Sequence, residues 1–318
     1  MTPTKVLIDT DPGVDDAMAV LYAAFDPAIE LVGLTSIFGN VTTEIATRNA
    51  LALVEMTGLD IPVAAGATRP LVQEAREVAW EVHGREGFGD VPAFTPKRKP
   101  AKEPAHEFIC KMADLHEGEL VLCPVGPLTN LALALEHDSS LASKVKSVTV
   151  MGGSLDEGGN VTPHAEANIW QDPHAAEKVF SANWKVSMIG LDVTHRIICS
   201  PADFAALASA SPKFGGFLDD AAQFYFDFHR KVDGIDGCHM HDPTAVISIV
   251  SPQFVSFDET PVGVILDGEE TGKTIRYQGE GRMNTRVATG IDANAVRERF
   301  LDIMKSAPDS QQSNSNEV

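Results

Sequence analysis

The stretch Lys5-Val6-Leu7-Ile8-Asp9-Thr10-Asp11-Pro12-Gly13-Val14-Asp15-Asp16-Ala17-Met18-Ala19 decides how the chain is read. Residues 5 to 10 form a short β-like run, and Val14 to Phe25 repeats apolar residues as an amphipathic helix does. The acidic segment between them is therefore a strand-to-helix turn. Within it, Asp9, Asp11, Asp15 and Asp16 place four carboxylates inside eight residues. Mutual repulsion makes that arrangement costly unless a cation is present. One Asp at a helix N-terminus is ordinary capping, but capping needs only one or two such groups. Ligands that are all oxygen suit Ca2+ or Mg2+ better than Zn2+.

Working outward, the same alternation recurs. Ile29 to Phe38 reads as a strand, Thr42 to Met56 as a helix, and Ile61 to Ala65 as a strand. Leu120 to Pro124, Val145 to Met151 and Val186 to Leu191 continue the strands, with helices over Leu128 to Leu135 and Pro173 to Phe180. Strands alternating with helices predict an α/β protein with a mostly parallel open sheet and helices on both faces. Ligands of such sheets bind at the carboxyl ends of the strands. Residues 66 to 105, rich in Gly, Pro and charge, read as a long mobile excursion rather than core. Residues 213 to 232 read as a helix carrying Phe217, Phe224, Tyr225 and Phe228, residues 254 to 290 as β-rich, and Asn294 to Lys305 as a closing helix. No internal repeat or low-complexity linker divides the chain, so residues 1–308 read as a single domain, followed by a disordered polar tail over 309–318.

Composition narrows the partners. Against 25 Lys and Arg stand 45 Asp and Glu, a formal net charge of -20, which repels polyanions and makes nucleic acid and anionic membranes unfavourable partners. Most of those carboxylates read as a solvated surface. Cys110, Cys123, Cys199 and Cys238 lie far apart without Cys-x-x-Cys spacing and read as reduced core thiols. With neither a signal-peptide pattern nor a membrane-length apolar run, a cytoplasmic location is the default expectation.

Further candidate positions follow later strands. Asn160, Glu166 and Asn168 lie beyond Met151-Gly152-Gly153, where amide and carboxylate groups can read sugar hydroxyls, although a solvated turn has the same composition. His241-Asp242-Pro243-Thr244 precedes the apolar run Ala245 to Val250, where Asp242 can also be a simple N-cap with Pro at the first helical turn.

Together these segments resemble the inosine-uridine nucleoside hydrolase family over roughly Lys5 to Lys305. The Asp-Thr-Asp-Pro-Gly-Val-Asp-Asp-Ala-Met-Ala opening carries most of the resemblance. Gly39-Asn40, Pro127-Leu128-Thr129-Asn130, Met151-Gly152-Gly153, Ala165-Glu166-Ala167-Asn168 and His241-Asp242-Pro243 support it in the right order. The resemblance implies a nucleoside hydrolase fold with a Rossmann-like core, and Ca2+-dependent hydrolysis of the N-glycosidic bond of ribonucleosides to ribose and free nucleobase. It implies Ca2+ held by Asp11, Asp16 and Asp242 and by the backbone carbonyl of Val125, where some relatives have Thr. Ribose would meet Asp15, Asn40, Met151, Asn160, Glu166, Asn168 and Asp242. Asp11 would activate the attacking water, passing through an oxocarbenium-like transition state. His241 is the candidate donor to the leaving base, since an imidazole ordinarily titrates near neutral pH. Trp80, His83, Phe88, Phe224, Tyr225, His229 and His239 lie in segments expected on the nucleobase side, although an aromatic stripe on the 213 to 232 helix also suits a core. The family relationship further implies a homo-tetramer or homo-dimer, and a place in purine or pyrimidine nucleoside salvage.

Two other readings are open to the same residues. Asp9 and Asp11 as Asp-x-Asp after a strand suit an aspartyl-phosphate phosphotransferase with Mg2+, but Pro12-Gly13-Val14 departs from that pattern. A non-catalytic nucleoside or calcium binder would need a missing catalytic group, whereas Asp11, Asp15, Asp16, Asn168 and Asp242 are all present.

Overall fold

The structure, a computed structural model, describes residues 2–308. In chain order its strands are β1 (Thr4–Thr10), β2 (Ile29–Ser36), β3 (Val63–Ala65), β4 (Val121–Pro124), β5 (Ser147–Met151), β6 (Val186–Ile189), β7 (Ile198–Cys199), β8 (Cys238–His239), β9 (Val255–Thr260), β10 (Val262–Val264), β11 (Thr274–Arg276) and β12 (Thr285–Ile291). The helices are α1 (Val14–Phe25), α2 (Thr43–Thr57), α3 (Trp80–His83), α4 (Ala105–Leu115), α5 (Thr129–His137), α6 (Leu141–Lys144), α7 (Ala167–Gln171), α8 (Pro173–Ser181), α9 (Leu191–Thr194), α10 (Pro201–Ala210), α11 (Phe214–Val232), α12 (His241–Val250) and α13 (Ala293–Lys305).

Successive side chains of a strand point to opposite faces. On β1, Val6 and Ile8 accordingly join one apolar cluster while Leu7 joins another. Both clusters are lined by helices, and β1 from Val6 to Thr10 is buried on both sides, the burial expected of a parallel strand covered on two faces. The main sheet has eight strands in the order β3-β2-β1-β4-β5-β6-β12-β9. All neighbours from β3 to β12 run parallel, and β9 closes one edge antiparallel. From β1 the chain winds outward through β2 and β3, then returns to the other side of β1 as β4. This reversal of winding opens a crevice at the carboxyl ends of β1 and β4.

The sequence reading differs from the structure in several places. Residues 66 to 105 are not wholly peripheral: α3 forms a helical turn there, and His83 and Phe88 are buried. The strand expected to run through Leu191 stops at Ile189, and Gly190 starts α9. Helices α4 and α10 had no counterpart in the sequence reading. The polar tail over 309–318 lies outside the described residues. Among the described residues, no helix is long and apolar enough to cross a membrane, and the four cysteines are free and buried.

Candidate active site

Asp9 ends β1 beneath the crevice rather than in it. Its Oδ1 accepts from Thr35 Oγ1 at 2.6 Å and Asn130 Nδ2 at 2.7 Å, and burial pushes its carboxyl up to about 7. This engagement does not suit an aspartyl-phosphate nucleophile, whose carboxylate must be free to attack its substrate, since Asp9 is tied to Thr35 and Asn130.

Asp11 lies one step further along. Its Oδ2 accepts from the Asn40 amide at 2.7 Å, and its Oδ1 is buried with no hydrogen-bond partner. The space for this carboxylate is left by glycines. A Cβ on Gly126 would come 2.5 Å from Asp11 Oδ1, and one on Gly39 would collide with Oδ2, with Gly39 at φ +152° where a side chain is strained in any case.

Asp16 occupies the first turn of α1. Its Oδ2 accepts from Gly13 N at 2.9 Å and from Asn40 Nδ2 at 2.9 Å, and its Oδ1 accepts from Thr10 Oγ1 at 2.5 Å and Asp11 N at 3.2 Å. Capping accounts for this much. It does not account for Asp15 and Asp242, which approach Asp16 so that one carboxylate oxygen from each lies within 4.8 Å of the others. Burial, and then the neighbouring carboxylate charges, hold the carboxyls of Asp11, Asp15 and Asp242 above the ordinary range; burial alone is the main cause at Asp16. Buried carboxylates in such a group favour a cation, and every donor is oxygen.

Beside the carboxylates, Asn168 Nδ2 donates to the Val125 carbonyl at 2.9 Å and the Met151 carbonyl at 3.2 Å, drawing together the ends of β4 and β5. A carbonyl oxygen has two lone pairs, so Val125 keeps one for another partner. Glu166 caps α7: its Oε1 accepts from Asn168 N at 2.9 Å, and its Oε2 accepts from Ile169 N at 3.1 Å and Gly153 N at 3.0 Å. Asn160 Oδ1 accepts from Ala167 N at 3.0 Å.

These groups open into a cavity of about 310 Å³. Asp15, Asn40, Val125, Met151, Asn160, Glu166, Asn168 and Asp242 line it, opposite His83, Tyr225, His229, His239 and His241. Asp11 and Asp16 stand behind that lining. Three positions expected on the base side are elsewhere. Phe88 packs into the core against Phe94 and Phe217, and Trp80 turns outward, 43% exposed, with the Arg85 guanidinium over its ring. Phe224 is also absent from the lining, whereas its helix neighbour Phe228 is present.

The histidines form an unbroken ring system. His83 stacks on Tyr225, which meets His229; His229 meets His239, and His195 meets both His239 and His241. His195, which follows β6 through the short α9, escaped the sequence reading. Its only signal there was its place just beyond the carboxyl end of a strand. Burial and the neighbouring imidazoles hold His241 well below its ordinary range, so it is neutral at pH 7 rather than titrating near neutrality; its Nδ1 faces Thr194 Oγ1 at 2.8 Å. His83 is lowered to about 3 by burial, and its Nδ1 accepts from Val14 N at 3.2 Å, joining the 66 to 105 excursion to the start of α1.

The family profile for inosine-uridine preferring nucleoside hydrolase matches residues 6–298. The chain belongs to this family. Among similar nucleoside hydrolases and nucleosidases, uridine nucleosidase 1 of Arabidopsis thaliana is 42% identical over 88% of this chain and 84% of its own length. The inosine-uridine preferring nucleoside hydrolase of Leishmania major is 34% identical over 97% of this chain and 100% of its own. A solved plant nucleoside hydrolase superposes with a TM-score of 0.93 at 35% identity, over 96% of this chain and 99% of that one. The purine-preferring ribonucleoside hydrolase from Gardnerella vaginalis does so with a TM-score of 0.92 at 33% identity, over 96% and 99%. This nucleoside hydrolase therefore shares its relatives' fold nearly end to end, and its carboxylate group is one that can bind a metal ion.

Proposed function

We propose that the chain catalyses Ca2+-dependent hydrolysis of ribonucleosides to ribose and free nucleobase. The observation that carries this reading is the buried group of Asp11, Asp15, Asp16 and Asp242 at the sheet's switch point, with Asp11 Oδ1 unpartnered. The all-oxygen donor set fits Ca2+. Asp16 and Asp242 belong both to the geometric group and to the set the family resemblance implies, so they would hold the ion, with Asp11, Asp15 and the Val125 carbonyl adjoining. Such a cation supplies positive charge that orients and acidifies water.

Asp11 acts as general base through its free Oδ1. Asp15, Asn168 and Asn40 position ribose, and Asn160 and Glu166 close the side nearest its 5'-hydroxyl. As the N-glycosidic bond breaks, its electron pair leaves with the base nitrogen and positive charge builds on the ribose ring. The surrounding carboxylates and amide oxygens stabilise that charge. Water oxygen bonds to the sugar carbon and Asp11 receives the water's proton. His241, held neutral, gives the departing base a hydrogen bond through its ring N–H, and the proton the base finally takes up comes from solvent.

A panel of purine and pyrimidine ribonucleosides incubated with the protein and Ca2+ tests the reading. Release of free base, with no phosphate released from phosphomonoesters, is expected. Calorimetric nucleoside binding with no base released over hours would instead make the chain a binder.

A further inference from the structure

The base side of the cavity carries donors of a different chemistry. His229, Asp233 and His239 each present a ligand atom within 4.8 Å of the other two. All three line the cavity. His229 Nδ1 faces Asp233 Oδ2 at 2.6 Å, which leaves Nε2 as the other ring nitrogen, and that nitrogen is buried without a partner. His239 Nδ1 is likewise buried and unpartnered. Two bare imidazole nitrogens in one cluster are unusual, because buried polar atoms are nearly always satisfied.

We infer that His229, Asp233 and His239 form a second cation site, taking a borderline transition metal such as Zn2+, distinct in chemistry from the all-oxygen carboxylate group. His229 Nε2 and His239 Nδ1 ligate the metal. Asp233 holds His229 Nδ1–H, the carboxylate–histidine–metal arrangement that fixes tautomer and ring orientation. His195, whose ring centroid lies 4.8 Å from that of His239, adjoins the cluster. Tetrahedral Zn–N bonds of about 2.0–2.1 Å place donor atoms roughly 3.3 Å apart, inside the 4.8 Å spread of the cluster.

Ligand softness separates the two sites: carboxylate and carbonyl oxygens select Ca2+ or Mg2+, whereas imidazole suits Zn2+, Co2+ or Ni2+. Metal binding also requires neutral imidazole. Burial lowers both His229 and His239, the latter to about 4, so neither must shed a proton at neutral pH. Given the hydrolase reading above, a metal here occupies space needed by the nucleobase, and Zn2+ inhibits competitively with nucleoside.

The test titrates Ca2+-loaded protein with Co2+, followed by visible ligand-field absorption without nucleoside, and then displaces Co2+ with Zn2+. One Co2+ per chain is expected, displaced by Zn2+. His239→Ala and His229→Ala should abolish the band, and Asp233→Asn should weaken binding about 10-fold or more. His137→Ala should leave the band unchanged, which excludes the surface group His106, Glu107 and His137. Circular dichroism and thermal melting establish that each variant is folded, and the milder His239→Gln serves if the alanine variant is not. Equal Co2+ binding by folded His239 variants and wild type, or no band, overturns the site. Because binding is read without turnover, a failed hydrolase reading leaves this result standing. Binding without competitive inhibition removes only the consequence for nucleobase access.

Discussion

Asp11 has one oxygen held and the other bare, with Gly39 and Gly126 leaving the room it needs. If that oxygen takes the water's proton, Asp11→Asn should fold normally and bind ribose, while kcat falls by roughly 10² or more because an amide cannot accept the proton. Near-normal turnover in a folded Asn variant would remove Asp11 from that role. His241 poses a different question, since its imidazole is neutral and tied to Thr194. As hydrogen-bond donor to the leaving base, His241→Ala should lower kcat on inosine or uridine by about 10², yet cleave p-nitrophenyl riboside, whose leaving group is stable as an anion, almost as fast as wild type. Equal losses on both substrates would assign His241 to support of Asp242, and no loss on either would direct attention to His83 and His239. At this scale the sequence was informative wherever a residue lies just beyond a strand's carboxyl end, as Asp11 and Val125 do directly and Asn40 four residues on. It was uninformative about Trp80 and Phe88, because composition cannot say whether an aromatic ring turns into the cavity, the core or solvent.

Helix α1 carries Asp15 and Asp16 at its N-terminus and is fastened at its other end by Asp26. Arg299, on α13, donates to both Asp26 oxygens at 2.8 and 2.7 Å, and the Tyr22 hydroxyl bonds to the same carboxylate. The Asp26 side chain is fully buried whereas Arg299 keeps 34% exposure, so Arg299→Ala strands the buried charge but lets some water approach. A loss of about 2–3 kcal/mol is expected, at the low end of the cost of breaking a buried pair. It should appear as a lower urea midpoint with an unchanged slope; a loss under about 0.5 kcal/mol, the size of an ordinary surface substitution, would show that the pair does not fasten the helix. Arg299 lies in one helix legible from periodicity and Asp26 just after another, yet their pairing was not legible, because spacing describes one element at a time. The same limit hid α4, whose approach through Pro100 and Pro104 and a run of charge reads as loop until α5 packs against its apolar face. It also hid the ring from His83 to His241, which is assembled from α3, α11, β8, α12 and the end of α9.

Across the whole molecule, the carboxylate group joins the first strand–helix unit to α12, more than two hundred residues along the chain. Without a cation, those acids must stay protonated or repel. Burial and then the Asp16 charge push Asp15 up to about 8, and Asp11, Asp16 and Asp242 move in the same direction. An acid raised in the folded state binds more protons there than in the unfolded chain, so its contribution to stability is complete below about pH 4 and is lost as pH rises towards 8. Ca2+ replaces those protons with fixed positive charge and binds only the folded chain, so it opposes the loss by mass action. Protein freed of metal by EGTA and dialysis should therefore melt at a lower temperature than Ca2+-loaded protein, with the gap widening from about pH 5 to about pH 8. Hydrolysis should vanish with the metal and return with Ca2+. A gap independent of pH would mean that the carboxylates are not what the cation neutralises, and full activity after verified metal removal would separate the carboxylate group from catalysis altogether.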